Sequence, residues 1–356
     1  CHHEQAASLA APAYSKIKKK PGLCIVTTGP GGTNAVTGVT GAWQESIPCF
    51  FISGQSRMEH TSRGKPVRQI GSQELDIISI VEPITNYSKL IRKPESIRYH
   101  LEKALYYATK NGRPGPVWLD VPLDFQWTEV NPRTMRSFHP KKAKINLRKN
   151  NIKLSKCLAL LKESKRPLIL LGQGVRLSSA EKEFKKLLEK WSIPFISSWG
   201  ASDILQTNHE LYVGRPGVAG QRGANLAMQN SDLLLVIGSH LSVVLTGTHF
   251  NLFARDAKRI VINIDQNELD NETVKVDLGI QSDAKEFLLK ALDFNIEFNE
   301  SLHAWKKQCR IYNSYNKTDT KNEKRTKPVS SYTFLNHLNK YLTKDDVIVV
   351  DGGGTV

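Results

Sequence analysis

The sequence predicts an α/β protein: two doubly wound parallel-sheet domains followed by the first strand of a third. Three observations lead there. Short apolar runs alternate with helical patterns along most of the chain, the pattern of strands joined by crossover helices. Two polar stretches without a sustained period, Asp124 to Lys153 and Asn313 to Pro328, interrupt that alternation and read as linkers. Finally, a lone strand and a glycine-rich turn stand at the end, too little to bury a core of their own.

In the first third, Leu23 to Thr27 reads as a buried strand and Pro48 to Ser53 as another, with the small-residue-rich helix Thr33 to Gln44 between them. Ser96 to Lys110 carries Ile97, Leu101, Ala104, Leu105 and Ala108 at helical spacing. Gly115-Pro116 then opens the strand Val117 to Val121. Residues 1–128 form the expected first domain, and 129–152, with Pro132 and Pro140, the first linker. The alternation restarts with the strand Pro167 to Leu171, which ends in Gly172-Gln173-Gly174. Ser178 and Glu181 have the spacing of a capping box ahead of Phe184, Leu187, Leu188 and Trp191. Ile193 to Ser197, Leu233 to Ile237 and Ile260 to Ile264 read as strands, and the helix Ala284 to Leu292 closes a second domain at 153–295. A linker at 296–330 leads to a segment, 331–356, that holds a helix, Ser331 to Tyr341, with Phe334, Leu335 and Leu338 on one face. The strand Val347 to Val350 and Asp351-Gly352-Gly353-Gly354 follow. A start at Cys1, with no methionine before Met58, fits a partial chain.

Composition narrows the function classes. With 40% hydrophobic and 24% charged residues, the 356-residue chain has the make-up of a soluble globular protein. No apolar run approaches the roughly 20 residues that cross a bilayer, and no export leader is present, so no membrane partner is expected. The five cysteines are scattered, odd in number and free of any C-x-x-C pair, which argues against disulfides and zinc and for the reduced cytoplasm. The net charge of +16 raises nucleic acid as a partner. Yet the lysines are spread, and the clusters Lys16 to Lys20 and Lys141 to Lys153 read as a solvated helix end and a linker. No nucleic-acid partner is expected, and the charge is left to draw small anions.

Three constellations could carry chemistry. Cys1-His2-His3-Glu4-Gln5-Ala6-Ala7 places a carboxylate at the start of a small-residue helix, where it reads equally as a helix-terminus charge effect. Its adjacent histidines diverge on a helix and lack a third ligand, so no metal site is expected there. Thr27-Thr28-Gly29-Pro30-Gly31-Gly32-Thr33-Asn34 follows a strand and opens a helix, where backbone N–H groups could meet an anion. It is neither a dinucleotide fingerprint nor a Walker loop, and an ordinary strand-to-helix turn reads as well. Arg113-Pro114-Gly115-Pro116-Val117-Trp118-Leu119-Asp120-Val121-Pro122 reads by itself as a rigid entry to a strand.

Taken together and in this order, His3-Glu4-Gln5-Ala6-Ala7, the loop 29–34, Gln73-Glu74 and the 112–122 segment resemble the pyrimidine-binding domain of thiamine-diphosphate enzymes of the acetolactate-synthase-like group. Leu170-Leu171-Gly172-Gln173-Gly174-Val175-Arg176 and Asn230-Ser231-Asp232-Leu233-Leu234-Leu235-Val236-Ile237-Gly238 resemble that family's central domain, and Val349-Val350-Asp351-Gly352-Gly353 the first strand of its diphosphate-binding domain. The resemblance implies an enzyme that decarboxylates a pyruvate-like 2-keto acid and transfers the resulting carbanion to an acceptor. It assigns Glu4 as the catalytic glutamate on the pyrimidine ring, buried and hence of raised pKa. Thr28, Gly29, Pro30, Gly31 and Asn34 would lie against the cofactor, and Gln73 would face the active site. It further implies a homodimer or homotetramer, with Mg2+ and diphosphate held by a Gly-Asp-Gly module that this sequence lacks, so that the isolated fragment would be inactive. Three departures stand out. Pro12 falls inside the first helix and should kink or shorten it. Gly238-Ser239-His240-Leu241-Ser242-Val243-Val244 lacks the arginines that hold FAD in true acetolactate synthases, and Asn263 stands where those enzymes tend to have aspartate. Both put FAD in doubt. The alternatives are a non-catalytic subunit of the same fold and, from Gly172-Gln173-Gly174, a nucleotide-binding oxidoreductase.

Overall fold

The computed structural model describes residues 1–140, 147–316, 329–343 and 345–349. Its apolar runs form two sheets in which every pairing is parallel. The first contains β1 (Gly22–Val26), β2 (Cys49–Gln55), β3 (Tyr87–Leu90) and β4 (Pro116–Pro122) in the order β1-β2-β4-β3. Interior position makes β4 the most deeply covered of the four, with Val117, Trp118, Leu119 and Asp120 all buried. Edge position has the opposite effect on β1. Expected to be buried, it alternates instead: Cys24 and Val26 face the core while Leu23 is 57% and Ile25 67% exposed.

The covered face of β1 lies under α1 (Glu4–Lys18) and α2 (Pro30–Gln44). α2 starts three residues earlier than its apolar pattern suggests, because Pro30 occupies the first helical turn, where its missing N–H costs nothing. Pro12 does not shorten α1, which runs on to Lys18. Proline there removes the donor for the Ser8 carbonyl four residues back. That carbonyl is set against Gly38 of α2, where any Cβ would collide with it. α1 and α2 therefore cross at close range through small residues, and the helix accommodates its proline at that crossing. α3 (Ile97–Thr109) covers β3 and β4 with Ala104 and Ala108.

The second sheet has six strands, β5 (Pro167–Leu171), β6 (Phe195–Ser197), β7 (Tyr212–Gly214), β8 (Leu233–Ile237), β9 (Lys258–Asn263) and β10 (Leu278–Gln281), in the order β10-β9-β8-β5-β6-β7. This is a doubly wound order whose direction of winding reverses between β5 and β8. One face packs on α4 (Leu147–Glu163), α5 (Glu181–Trp191) and later α7. The other packs on α6 (Arg222–Asn230) and later α8. α7 is Ala284–Leu292, as its pattern predicts, and α8 is Ser301–Ser314.

Several expectations about elements are corrected. Both expected linkers, 129–152 and 296–330, contain helical residues: α4 begins at Leu147, and α8 docks Leu302, Trp305 and Cys309 on the second sheet, with Trp305 Nε1 donating to Pro167 O at 2.9 Å. Ser178 does not cap α5. It closes the short helix Gly174–Leu177 and its Oγ donates to Val175 O at 3.1 Å, while Ala180 is the N-cap of α5. α9 (Ser331–Leu338) leaves Phe334 and Leu335 exposed. Residues 347–349 form no strand, and Val350 with Asp351-Gly352-Gly353-Gly354 lies outside the described residues.

Candidate active site

The sequence-predicted residues gather at the carboxyl ends of β1 and β2, the end at which open parallel sheets bind ligands. β1 ends at Val26, and the chain turns through Thr27, Thr28 and Gly29 into α2. Gly29 makes that turn at φ 60°, ψ −115°, a conformation that excludes residues with a Cβ. The turn brings Asn34, one turn into α2, beside the first residue of α1. Asn34 Nδ2 donates to Glu4 Oε2 at 3.1 Å. Gly31 completes the contact: a Cβ there would sit 2.7 Å from Thr27 Cγ2 and 3.6 Å from Glu4 Oε1. Glu4, Gly31 and Asn34, separated in sequence, thus meet at one corner, with Pro30 exposed beside it.

Glu4 corrects the expectation of a buried, raised carboxyl. It is half-buried at the N-terminus of α1. Its own backbone N–H and the Asn34 amide hold its pKa below the usual carboxylate value, against a smaller effect of burial. In this chain the group is an ionised acceptor.

Gln73 reaches the corner through its backbone, not its side chain. It adopts φ 56°, and its carbonyl lies against Gly29, leaving no room for a Cβ there. The Gln73 side chain is exposed. Glu74, next in line, is buried; Ser62 Oγ donates to its Oε1 at 2.9 Å, and its Oε2 has no hydrogen-bond partner.

Sequence reasoning missed the layer beneath. Thr28 Oγ1 donates to Gln55 Oε1 at 2.9 Å, and Gln55 Nε2 donates to Asp120 Oδ2 at 2.9 Å and to Leu75 O at 2.8 Å. Ser53 Oγ donates to Asp120 Oδ1 at 2.6 Å, and Trp118 Nε1 to Ser53 Oγ at 2.8 Å. Desolvation pushes the Asp120 carboxyl up to about 7, despite the hydrogen bonds from Ser53 and Gln55. The available signal was a charged residue inside the apolar run of an interior strand.

The glycine-rich ends of β5 and β8 meet at the reversal point of the second sheet. Gly172 N donates to Ile237 O at 2.9 Å and Gly174 N to Gly238 O at 2.8 Å, so neither amide is available to a phosphate. The helix that follows spans only Gly174–Leu177. This geometry removes the basis of the dinucleotide reading. In the next loop, His240 Nδ1 lies 2.7 Å from Glu268 Oε2. Among the described residues no group of three or more His, Cys, Asp or Glu is arranged to hold a metal ion. No helix among them is long and apolar enough to cross a membrane.

A thiamine diphosphate pyrimidine would meet a suitable donor and acceptor set here: a carboxylate, an amide and a glycine-lined corner that side chains would fill. Comparison with known proteins gives the family. Residues 1–80 match the family model described as "Thiamine pyrophosphate enzyme, N-terminal TPP binding domain", and residues 154–291 match "Thiamine pyrophosphate enzyme, central domain". Among similar proteins, the acetolactate synthase large subunit of Lactococcus lactis is 32% identical over 364 residues, covering 99% of this chain and 59% of that protein. The probable acetolactate synthase large subunits of Methanococcus aeolicus and Methanocaldococcus jannaschii are 37% identical over 311 residues and 35% over 296. Those alignments take in 83% and 80% of this chain but 49% and 47% of the relatives. The chain thus spans about half the length of the curated relatives it matches.

Proposed function

The chain belongs to the thiamine pyrophosphate enzyme family, and on that premise we propose that it is a fragment of a thiamine-diphosphate-dependent carboligase acting on a pyruvate-like 2-keto acid. The observation that carries the reading is the Glu4–Asn34 contact at 3.1 Å over Gly31, inside the segment that matches a TPP-binding domain. Bound thiamine diphosphate supplies the carbon nucleophile and electron sink that let a 2-keto acid lose carbon dioxide and pass the remaining unit to an acceptor.

The residues of this chain bind and orient. Glu4 would accept a hydrogen bond from the pyrimidine ring, and Asn34 keeps its carboxylate aimed at that place. Gly31 and Pro30 let the ring approach the loop, and Thr28 and Gly29 set the loop's height over the sheet. The Gln73 side chain, exposed beside the corner, is free to meet substrate. Mg2+ and the diphosphate are held outside these 356 residues, which by themselves are inactive. Gly238 to Val244 carries none of the arginines that the resemblance assigns to FAD. The working form is a homodimer or homotetramer in the cytoplasm, where the five free cysteines stay reduced.

The test is pyruvate consumption by the full-length protein with and without thiamine diphosphate and Mg2+. Turnover that needs both is the expected result. If both are bound and no 2-keto acid is consumed, the carboligase reading fails.

A further inference from the structure

We propose that Asp120, acting through Gln55, is the positioning residue that holds the cofactor loop over the sheet. The proposal rests on the reading of the site given above. Asp120 is 1% exposed in the interior strand β4, paired in register with Ser53 of β2. The direction of each proton around it follows from the partners. Trp118 can only donate, so Ser53 accepts from it at 2.8 Å and turns its own proton to Asp120 Oδ1 at 2.6 Å. The other carboxylate oxygen accepts a hydrogen bond from Gln55 Nε2 at 2.9 Å. Both Asp120 oxygens are thereby acceptors, and the Gln55 amide has only one orientation that satisfies them.

That orientation sets two segments at once. The second Gln55 N–H reaches Leu75 O at 2.8 Å, and Gln55 Oε1 accepts from Thr28 Oγ1 at 2.9 Å and from Ser56 N at 2.8 Å. Thr28 leads into Gly29, and Leu75 follows the Gln73 carbonyl that lies on Gly29. One amide therefore ties both sides of the turn that presents Pro30, Gly31 and Asn34. If its oxygen and nitrogen changed places, an oxygen would face the carboxylate and Thr28 would lose its acceptor. The charge on Asp120, the Leu75 carbonyl and the Ser56 N–H together forbid the exchange.

Burial favours the neutral carboxyl, and the charge of Asp76 adds to that, while Ser53, Gln55 and Arg63 oppose it. A neutral Asp120 would have to donate one proton where both of its neighbours already donate. The arrangement therefore loosens as pH falls through about 7.

The experiment uses the full-length protein and compares wild type, Asp120→Asn and Thr28→Val, which removes only the bond from Thr28 Oγ1 to Gln55 Oε1. Asp120→Asn is expected to raise the KM for thiamine diphosphate about tenfold with kcat within about twofold, a loss of roughly 1.4 kcal/mol in binding. Amide hydrogen exchange in the cofactor-free protein should quicken at residues 28–34 and 72–76 and not in β8. Thr28→Val should quicken exchange at 28–34 and leave 72–76 unchanged, and the fall in wild-type affinity between pH 8 and pH 6 should flatten in Asp120→Asn. Unchanged exchange at 28–34 overturns the proposal. So does a general loss of protection that extends to β8, because that is a fold effect only. If wild type binds no thiamine diphosphate, the functional reading fails instead, and the exchange data still decide the role of Asp120.

Discussion

Glu4 shows how a local hydrogen-bond set overrides a general expectation. A carboxyl on a cofactor ring is expected to be buried and raised, but here its own N–H and the Asn34 amide lower it. Titration of the Glu4 carboxyl by NMR in the free protein should give a midpoint below the ordinary glutamate value, and Asn34→Ala should move it upward. Because the folded pKa is depressed, Glu4 favours the folded state above its unfolded pKa, and that contribution is lost as pH falls through the folded value. Glu4→Gln keeps the shape and removes the charge. It should cut thiamine-diphosphate-dependent turnover by about a hundredfold or more, measured as kcat at saturating cofactor. At this scale the corner of the site was legible in the sequence, since Glu4, Gly31 and Asn34 belong to recognisable local motifs. The supporting layer was not. Ser53, Gln55 and Asp120 lie on neighbouring strands, and only the register of β2 against β4 shows that they touch.

Among the elements, the strands that sequence reading located are, apart from the edge strand β1, apolar runs in sheet interiors, such as β5 and β8, whose bounds it matched residue for residue. It missed β3, β7 and β10, which are three or four residues long and lie at sheet edges. α4 and α8 were hidden for another reason. Their outward faces are rich in Lys and Asn, and composition over a window masked the apolar stripe that docks on the sheet. The α1–α2 crossing yields a test at this scale. Gly38→Ala would drive a Cβ into the Ser8 carbonyl, and overpacking of this kind costs about 1–3 kcal/mol. A lower Tm should follow, with loss of thiamine diphosphate affinity, because α1 carries Glu4 and α2 carries Asn34. Unchanged Tm and affinity would mean that the helices separate freely and do not set the corner.

At the scale of the whole molecule, ion pairs tie the two sheets' loops together. Arg113 Nη1 bonds Glu268 Oε1 at 2.5 Å and lies 3.6 Å from Asp265 Oδ2, while Lys19 Nζ reaches Glu181 Oε1 at 2.7 Å. Burial alone would raise the Glu268 carboxyl, but His240 and Arg113 together hold it below its usual value. The stabilisation it brings is therefore present above the unfolded glutamate pKa and is lost as pH falls through the folded one. Arg113→Ala should cost about 1 kcal/mol, given that the pair is partly exposed. It should also speed proteolysis between the two sheets while leaving hydrogen exchange within β5 and β8 unchanged.

The central claim is that Glu4 and the loop from Thr28 to Asn34 receive the pyrimidine of thiamine diphosphate. Its most direct test is a crystal structure of the full-length protein with thiamine diphosphate and Mg2+, read for one distance: Glu4 carboxylate to the nearest pyrimidine nitrogen. A hydrogen bond of about 2.6–3.2 Å, with the ring over Gly31, is the expected result. A ring bound elsewhere, with Glu4 still joined only to Asn34, would contradict the account.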